Sequence, residues 1–229
     1  MDRIVILSGA GLSAESGLGT FRDTDGLWTR YDLTEVATPE GFARNPALVH
    51  EFYNARRANC LGAQPNPAHL ALAHLQQSAP DRVTLVTQNV DDLLERAGAR
   101  DVMHMHGRLT RARCAACGHC WDAPQVMSST NPCPACTAPA TRPDIVWFGE
   151  FPHHMDKIDA VLARADLFVA IGTSGNVYPA AGFVQQAAQA GARTLELTLD
   201  ASANAGMFDE TRRGPASRIV PEWVAEILQ

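Results

Sequence analysis

The sequence of 229 residues lacks the features of a membrane protein and of a protein that coats nucleic acid. Its longest apolar runs, such as LFVAIG, are far shorter than the roughly 20 residues of a membrane-spanning helix. The net charge is −6, with 19 basic and 25 acidic side chains, whereas domains that coat nucleic acid are usually basic. The composition therefore predicts neither a membrane-spanning helix nor a nucleic-acid partner.

The sequence also shows no internal repeats or low-complexity tracts, and no secretory leader is predicted. The first residues, MDR, lead directly into an apolar run of four residues, which is too short for a signal peptide. Four of the six cysteines are paired in a metal-binding spacing rather than in a disulfide framework. These features predict a soluble cytoplasmic protein, with a monomer as the default.

Short apolar segments alternate with helical patterns along most of the chain. The strand candidates lie within RIVILSG, DRVTLVT, ADLFVAIG and ARTLELTLD. A final helix, PEWVAEILQ, is predicted to begin at Pro221, where a missing N–H costs little. This alternation predicts an α/β fold with a doubly wound, Rossmann-like parallel sheet.

Two segments interrupt the α/β pattern. Residues 31–65 are helical in pattern, and residues 111–143 carry the paired cysteines with little periodicity. We interpret both as insertions that form a smaller domain from a helical segment and a zinc ribbon. Residues 1–30, 66–110 and 144–229 then form the Rossmann-like domain.

The first strand candidate runs into GAGLSA, which fits the pattern G-x-G-x-x-G/A at Gly9, Gly11 and Ala14. Glycines let the backbone approach a pyrophosphate, and the start of a helix supplies N–H donors. A tight turn without a ligand fits the motif equally well. The next residues, GLGTFRDTDGLW, place Phe21 and Arg22 in a predicted loop, whereas a dehydrogenase would continue towards a second strand and an acidic residue. A dinucleotide is therefore compatible with the motif, but a hydride-transfer geometry is not.

The paired cysteines follow the spacing C-x2-C-x15-C-x2-C, which is typical of a tetrahedral zinc site. Four thiolates leave no open coordination position, so the predicted ion is structural, and its ligands are Cys114, Cys117, Cys133 and Cys136. His119 and Cys120 do not fit the spacing, and Cys60 is interpreted as a small buried hydrophobe. A zinc ribbon can also read nucleic acid, but residues 111–143 carry too few basic and aromatic side chains to favour that role.

Polar side chains follow the predicted strands at the edge where ligands bind in open α/β sheets. Gln88, Asn89 and Asp91 follow VTLVT, Gly172-Thr173-Ser174 follows LFVAI, and His104 and His106 precede the cysteine segment. Each group alone is explained equally well by helix capping, by a turn or by an ordinary hydrogen-bonded histidine. Their convergence on one edge favours a site.

Taken together, the motifs resemble those of the sirtuins, which are NAD-dependent protein lysine deacylases. The matching segments, in order, are GAGLSAESGLGTFR, TQNVDDL, HGRL, the paired CxxC, PDIVWFGE, GTSGNVYPAA and GPAS. The compact length and the pair Tyr53 and Arg56 resemble the bacterial CobB type. The resemblance implies acyl-lysine proteins or peptides as partners and nicotinamide, O-acyl-ADP-ribose and free lysine as products.

The resemblance also implies roles for individual residues. His106 would be the general base, with Asn89 and Asp91 as further catalytic residues. Contacts with NAD would come from Gly9, Ala10, Gly11, Ser13, Phe21, Arg22, Gln88, Asn89, Asp91, Gly172, Thr173, Ser174, Thr198 and Ala216. Thr198 departs from the asparagine of many relatives, which affects the expected contact with the adenosine ribose. The zinc ion would take no part in the chemistry.

The substrate peptide would bind as an added strand between two segments of the chain. The resemblance assigns these contacts to Val146, Trp147, Phe148, Gly149, Glu150, Gly175, Asn176 and Val177. Phe21 and Val146 would form apolar walls around the acyl-lysine.

Tyr53 and Arg56 lie three residues apart, on one face of a predicted helix. In relatives that remove succinyl and malonyl groups, such a pair binds the acyl carboxylate, because arginine can donate two parallel hydrogen bonds and tyrosine a third. Spacing alone favours a solvated Arg56 and a core Tyr53, whereas the family resemblance favours a pocket that binds the acyl carboxylate. Arg57 would point about 100° away, so its loss is expected to matter little.

Two other functions remain compatible with the motifs. One is transfer of single ADP-ribose groups from NAD to protein, and the other is a zinc-ribbon binding module with a vestigial nucleotide fold. A deacylase releases nicotinamide only with an acylated peptide, a transferase leaves label from NAD on protein, and a binding module shows no turnover.

Overall fold

The structure, a computed structural model, describes residues 2–19 and 31–229. Within these residues the strands, in chain order, are β1 (Ile4–Ser8), β2 (Val83–Thr87), β3 (Met103–His104), β4 (Gly107–Cys114), β5 (Cys120–Asp122), β6 (Thr141–Ile145), β7 (Leu167–Ile171), β8 (Arg193–Thr198) and β9 (Glu210–Arg213). The helices are α1 (Ala10–Ser13), α2 (Leu33–Val36), α3 (Pro39–Arg44), α4 (Pro46–Gly62), α5 (Pro67–Ser78), α6 (Leu93–Arg96), α7 (Met155–Leu162), α8 (Phe183–Gln189) and α9 (Ala216–Ile227).

The larger sheet has six parallel strands in the order β3-β2-β1-β7-β8-β9. Alternate residues of its central strand β1 enter different cores. Ile4 and Ile6 pack with α5, α6 and α9, whereas Val5 and Leu7 pack with α7 and α8. A parallel strand covered on both faces is buried at every position, which explains why the first four residues of β1 are all apolar. The doubly wound fold class is confirmed.

A second sheet is antiparallel, with the order β5-β4-β6. Helices α2, α3 and α4 pack near it through an aromatic cluster that includes Phe52, Tyr53 and Trp147. This smaller unit contains both segments that interrupt the α/β pattern. The domain boundaries given above remain a prediction.

The final helix differs from the sequence prediction. It begins at Ala216, and Pro221 lies inside it rather than at its start. The proline removes one internal hydrogen bond, but Ile219, Val220 and Trp223 bury one face of the helix against the main sheet. Tertiary packing therefore outweighs the local signal. The edge strand β9 was also not predicted, since its sequence, ETRR, has no apolar side chain, and β3 is only two residues long.

None of the helices within the described ranges is long and apolar enough to cross a membrane.

Candidate functional site

The candidate site lies at the carboxyl edge of the parallel sheet, where the loops after β1, β2, β3, β7 and β8 meet. The loops after β1 and β7 touch through their backbones. Gly9 N donates to Ile171 O at 2.9 Å, and Gly11 N donates to Gly172 O at 2.9 Å. A Cβ on Gly11 would lie 2.7 Å from Gly172 Cα, so neither loop tolerates a side chain there. Gly172 itself has a φ of +59°, a conformation that favours glycine. The motif predicted from sequence is thus a tightly packed turn, and the helix that follows, α1, has only four residues.

A buried hydrogen-bond network lies behind this turn and centres on Ser13. The backbone N–H of Asn66 donates to His69 Nδ1 at 3.2 Å, so the other ring nitrogen, Nε2, carries the proton and donates to Ser13 Oγ at 3.2 Å. Ser13 Oγ donates in turn to Asp91 Oδ2 at 3.0 Å and accepts from Asn89 Nδ2 at 3.1 Å. The network therefore fixes the side chains of Asn89 and Asp91 relative to the glycine turn.

Burial sets the protonation of two members of this network. It lowers the pKa of His69 to about 4, so the imidazole is neutral near pH 7. It raises the pKa of Asp91, against the hydrogen bonds from Leu93 N and Ser13 that favour the carboxylate. A neutral His69 can keep one nitrogen as acceptor and the other as donor, which the network requires.

His106 occupies the loop after β3 and is only partly buried. Its Nδ1 lies 3.2 Å from Gln88 O, and a carbonyl oxygen can only accept, so Nδ1 carries a proton. Burial lowers the pKa of His106, although the Gln88 contact opposes this shift. Nε2 has no hydrogen-bond partner among the residues that the structure describes. His106 is thus a neutral imidazole with an available lone pair, which is the form of a general base.

His104 has a different environment, although it is only two residues away. Its two ring nitrogens face the backbone oxygen of Asn89, at 3.1 Å, and Glu95 Oε1, at 2.7 Å. Both nitrogens are therefore occupied, and His104 ties the Asn89 turn to α6. The structure thus distinguishes a histidine with both nitrogens occupied from one with an available nitrogen, which the residue pattern without the family resemblance left open.

The loops after β7 and β8 form the other half of the edge. Ala203 N donates to Ser174 O at 2.9 Å, and a Cβ on Gly175 would meet Asn204 Oδ1, so these two loops are held together. Thr173 lies beside the glycine turn, where its Cα is 3.0 Å from a Cβ built on Gly9. The hydroxyl of Thr198 donates to Asp200 O at 2.6 Å, so its proton is used within the chain.

Ala216 is the first residue of α9, at the same edge of the sheet. The next residue, Ser217, donates its backbone N–H and its hydroxyl to the Glu15 carboxylate, at 2.8 and 2.7 Å. Glu15 thereby joins the glycine turn to the start of the final helix. Phe21 and Arg22, which the sequence also assigned to this site, lie outside the described residues.

Tyr53 and Arg56 lie on the inner side of α4. Tyr53 is 1% exposed, and its hydroxyl accepts a hydrogen bond of 3.0 Å from Trp147 Nε1. Burial raises the pKa of Tyr53, so the hydroxyl keeps its proton. Burial lowers the pKa of Arg56, against a hydrogen bond with Tyr53 that raises it, and arginine remains charged even so. The Arg56 guanidinium carbon lies 5.8 Å from the centre of the Tyr53 ring. The two side chains are therefore neighbours in a partly enclosed space, not members of a solvated face.

The expectation that the loss of Arg57 would matter little does not agree with the structure. Arg57 is 3% exposed; its Nε donates to Leu109 O at 2.7 Å, and its Nη1 donates to Asn54 Oδ1 at 2.9 Å and to Gln125 O at 3.3 Å. The reason is that α4 packs against β4 and the segment that follows β5, so this face of the helix is covered too. Arg57 cannot serve as a neutral control for Arg56.

The segment from Val146 to Glu150 follows β6 and lies next to His106. Val146 N donates to His106 O at 3.0 Å, and Phe148 N donates to Ala37 O at 2.9 Å. The side chain of Phe148 is 52% exposed, whereas that of Trp147 is 2% exposed and turns inward. Glu150 accepts from Trp147 N and from both terminal nitrogens of Arg142. Gly149, with a φ of +90°, allows the turn between these side chains. The partner segment, Gly175 to Val177, leads from β7 towards α8.

The four predicted metal ligands lie together at the outer end of the small sheet. The sulfur atoms of Cys114, Cys117, Cys133 and Cys136 are all within 4.8 Å of one another. Two of the Sγ–Sγ distances are 3.7 Å, close to the roughly 3.8 Å that a tetrahedral ion with Zn–S bonds of about 2.3 Å requires. The four thiols thus fit one zinc ion, and Cys120 is not part of the cluster.

Sequence reasoning missed three contributors to the site, namely Glu15, Asn66 and His69. A local signal existed for two of them, since Asn66 followed three residues later by His69 forms a capping box at the start of α5. Nothing in the sequence connected that helix start to Ser13, because the contact spans 56 residues.

Comparison with known proteins agrees with this geometry. The sequence model of the Sir2 family matches residues 9–179. An NAD-dependent protein deacylase from Caulobacter vibrioides is 56% identical over 99% of this chain and 97% of its own length. A protein of the same name from Salmonella typhimurium is 52% identical over 99% of this chain and 84% of its own length. Among solved structures, a complex of a Sir2 homologue with NAD has a TM-score of 0.89 at 38% identity, covering 98% of this chain and 89% of that one. A Sir2 protein bound to an acetylated peptide has a TM-score of 0.82 at 25% identity, covering 97% of this chain and 92% of that one.

Proposed function

The chain belongs to the Sir2 family, and we propose that it uses NAD to remove acyl groups from the lysine side chains of proteins. The observation that carries the proposal is His106, a neutral imidazole with an available Nε2 beside the Gln88-Asn89-Asp91 turn. The relatives at 52–56% identity are NAD-dependent protein deacylases, and they match almost the whole chain. The products are nicotinamide, O-acyl-ADP-ribose and free lysine.

The residues at the sheet edge fit NAD as the co-substrate. Because Gly9 and Gly11 have no side chain, their turn packs directly against the backbone of Gly172 and Thr173. We propose that the NAD phosphates bind where these two loops meet, with further contacts from Ala10 and Ser174. The nicotinamide and its ribose would be held by Ser13, Gln88, Asn89 and Asp91. The adenosine end would contact Thr198 and Ala216. The site would be completed by Phe21 and Arg22. The Thr198 hydroxyl already donates its proton to Asp200 O, so we expect the hydroxyl oxygen to accept a hydrogen bond from the ribose rather than donate one.

Bound NAD supplies a ribose carbon that loses nicotinamide and accepts the oxygen of the acyl group. The chain's own residues position this reaction and move one proton. Asn89 and Asp91, fixed by Ser13, orient the ribose. His106 takes the proton of a ribose hydroxyl at Nε2, and its Nδ1–H donates to Gln88 O, which stabilises the imidazolium that results.

The acylated peptide is proposed to bind as an added strand. One side would be the segment Val146 to Glu150, with Trp147, Phe148 and Gly149, and the other would be Gly175, Asn176 and Val177. Val146 follows β6 directly and is bonded to His106 O, so a peptide paired with this segment lies beside the general base. Backbone pairing depends little on the peptide's side chains, which supports a broad range of substrates.

The zinc ion held by the four cysteines stabilises the small sheet and supplies no catalytic position. We propose a monomer as the active form. The use of four cysteines as metal ligands rather than in disulfides supports a cytoplasmic location, and the net charge of −6 supports the absence of a nucleic-acid partner.

We propose that the acyl groups include succinyl and malonyl as well as acetyl. Tyr53 and Arg56 place a protonated hydroxyl and a guanidinium side by side in a partly enclosed space. An acyl group that ends in a carboxylate needs such donors, because its transfer out of water without partners is costly.

The central test is release of nicotinamide from NAD in the presence of acylated and unacylated peptide. We expect release to require the acylated peptide and to fall about 10²- to 10⁴-fold in His106→Ala. His74→Ala is the control, because His74 is an exposed histidine on α5 that has no proposed role in the site. Turnover that continues without peptide, with label from NAD on protein, would favour ADP-ribosyl transfer. Binding of NAD without any turnover would favour a binding module.

The acyl range is tested by the ratio of kcat/KM for succinyl and acetyl forms of one peptide. Arg56→Met is expected to lower this ratio about 30- to 1000-fold, because a charge-assisted bidentate contact is worth roughly 2–4 kcal/mol. An unchanged ratio would show that Arg56 does not bind the acyl carboxylate.

A further inference from the structure

Trp147 lies in the segment proposed to bind the peptide, yet its side chain does not face the peptide. The indole is 2% exposed and belongs to the aromatic cluster of the small unit. Its Nε1–H donates to the Tyr53 hydroxyl at 3.0 Å, and both atoms are buried. The Trp147 side chain therefore contacts Tyr53, one of the two residues proposed to bind the acyl carboxylate.

The direction of this hydrogen bond decides what the Tyr53 hydroxyl can do. Indole N–H is only a donor, so the tyrosine oxygen must accept. Arg56, the second polar neighbour of the hydroxyl, is also only a donor. The hydroxyl proton is then directed away from both, and no acceptor for it is present among residues 2–19 and 31–229. A carboxylate in the pocket is the partner that this proton lacks.

Two contacts hold the indole in place and strengthen it as a donor. The guanidinium carbon of Arg142 lies 3.5 Å from the centre of the Trp147 ring, and Arg142 is itself bound by both oxygens of Glu150. Glu150 also accepts from the backbone N–H of Trp147 at 2.9 Å. A cation on the ring face draws electron density from the indole, which makes Nε1–H a better donor to Tyr53.

From this geometry we propose that Trp147 is a positioning residue for acyl-chain selectivity, which orients the Tyr53 hydroxyl so that it donates to the terminal carboxylate of a succinyl or malonyl group. The inference rests on the proposed acidic-acyl activity. The proposed role belongs to the Trp147 side chain and is separate from the pairing of the Trp147 backbone with the peptide.

The test compares the succinyl/acetyl ratio of kcat/KM in Trp147→Phe, Tyr53→Phe and the double variant. Trp147→Phe keeps an aromatic ring and removes the N–H, and we expect the ratio to fall roughly 3- to 10-fold, mainly through KM for the succinyl peptide. In the Tyr53→Phe background the same substitution should lower the ratio no further, because the hydroxyl that it orients is gone. Trp223→Phe is the matched control, since Trp223 is equally buried in the other core and should leave the ratio at the wild-type value.

Three outcomes separate this inference from the function on which it rests. If Arg56→Met leaves the ratio unchanged, Arg56 does not bind the acyl carboxylate and the premise of this inference fails. If Arg56→Met and Tyr53→Phe lower the ratio but Trp147→Phe does not, only the role of Trp147 is overturned. Equal effects of Trp147→Phe in both backgrounds would also overturn it, because Trp147 would then act by another route. If Trp147→Phe does not fold, benzothienylalanine at position 147 gives the same comparison, since it keeps the bicyclic shape without the N–H.

Discussion

Substitution of Arg57 by methionine should destabilise the protein, whereas substitution of its neighbour Arg56 should change the selectivity between succinyl and acetyl peptides. Arg57 donates to the backbone oxygens of Leu109 and Gln125 and to the side chain of Asn54. Methionine fills much of the same volume but leaves two buried carbonyl oxygens without this donor. Each unsatisfied buried group costs about 1–3 kcal/mol.

The expected loss of stability is near the lower end of that range for each of the two carbonyl oxygens. Nη2 of Arg57 is buried without a hydrogen-bond partner in the described part of the chain, so the substitution also removes one unsatisfied donor and a desolvated charge. We therefore expect a loss of about 2–4 kcal/mol, which corresponds to a fall in Tm of about 4–15 °C for a chain of this size.

The assay is thermal unfolding of wild type, Arg56→Met and Arg57→Met in one buffer, followed by the succinyl/acetyl ratio at a temperature where all three are folded. Arg57→Met should have the lower Tm and a ratio near the wild-type value, and Arg56→Met should have the lower ratio. A Tm of Arg57→Met equal to that of wild type would refute the reasoning, because it would mean that the three hydrogen bonds contribute nothing net.

Four further predictions follow from the site. Because burial lowers the pKa of His106, kcat/KM should fall only below pH 6.5, the ordinary histidine value, and a pH–rate profile with a higher acid limb would contradict this. Burial lowers the pKa of His69 from 6.5 to about 4, so the unfolded chain binds a proton first as the pH falls. Wild type should therefore lose about 3 kcal/mol of stability relative to His69→Gln as the pH falls from 6.5 to 4. Denaturant curves with equal pH dependence for the two proteins would argue against this. Gly11→Ala would place a Cβ 2.7 Å from Gly172 Cα and should raise KM for NAD at least about tenfold, or 1.4 kcal/mol, which steady-state kinetics would detect. Cys117→Ser should lower the bound zinc measured by elemental analysis and reduce the Tm, and full zinc content in this variant would mean that Cys117 is not a ligand.

The parts of the fold that the sequence predicts are those set by local patterns. The strand Ile4–Ser8 is apolar at each of its first four positions because it is covered on both faces, and that run is visible without any structure. The four zinc ligands are likewise recognisable, because two short turns fix their spacing. In both cases the residues that form the feature are close together in the sequence.

The parts that the sequence did not predict depend on distant contacts. Arg57 is buried by Leu109 and Gln125, which are 52 and 68 residues away along the chain. His69 reaches Ser13 over 56 residues. Helical spacing can state which residues share a face, but it cannot state which faces another segment covers, and α4 is covered on more than one.

The zinc cluster and the acyl pocket are connected through a single strand. Thr141, at the start of β6, pairs with Cys114, the first of the four cysteines. The next residue, Arg142, stacks on Trp147, and Trp147 donates to Tyr53. The strand ends at Ile145, and the following residue, Val146, is bonded to His106 O. We therefore expect that a metal with no open coordination position can still contribute to the proposed selectivity, because it would hold the start of the strand from which both the peptide-binding segment and the support of Tyr53 extend.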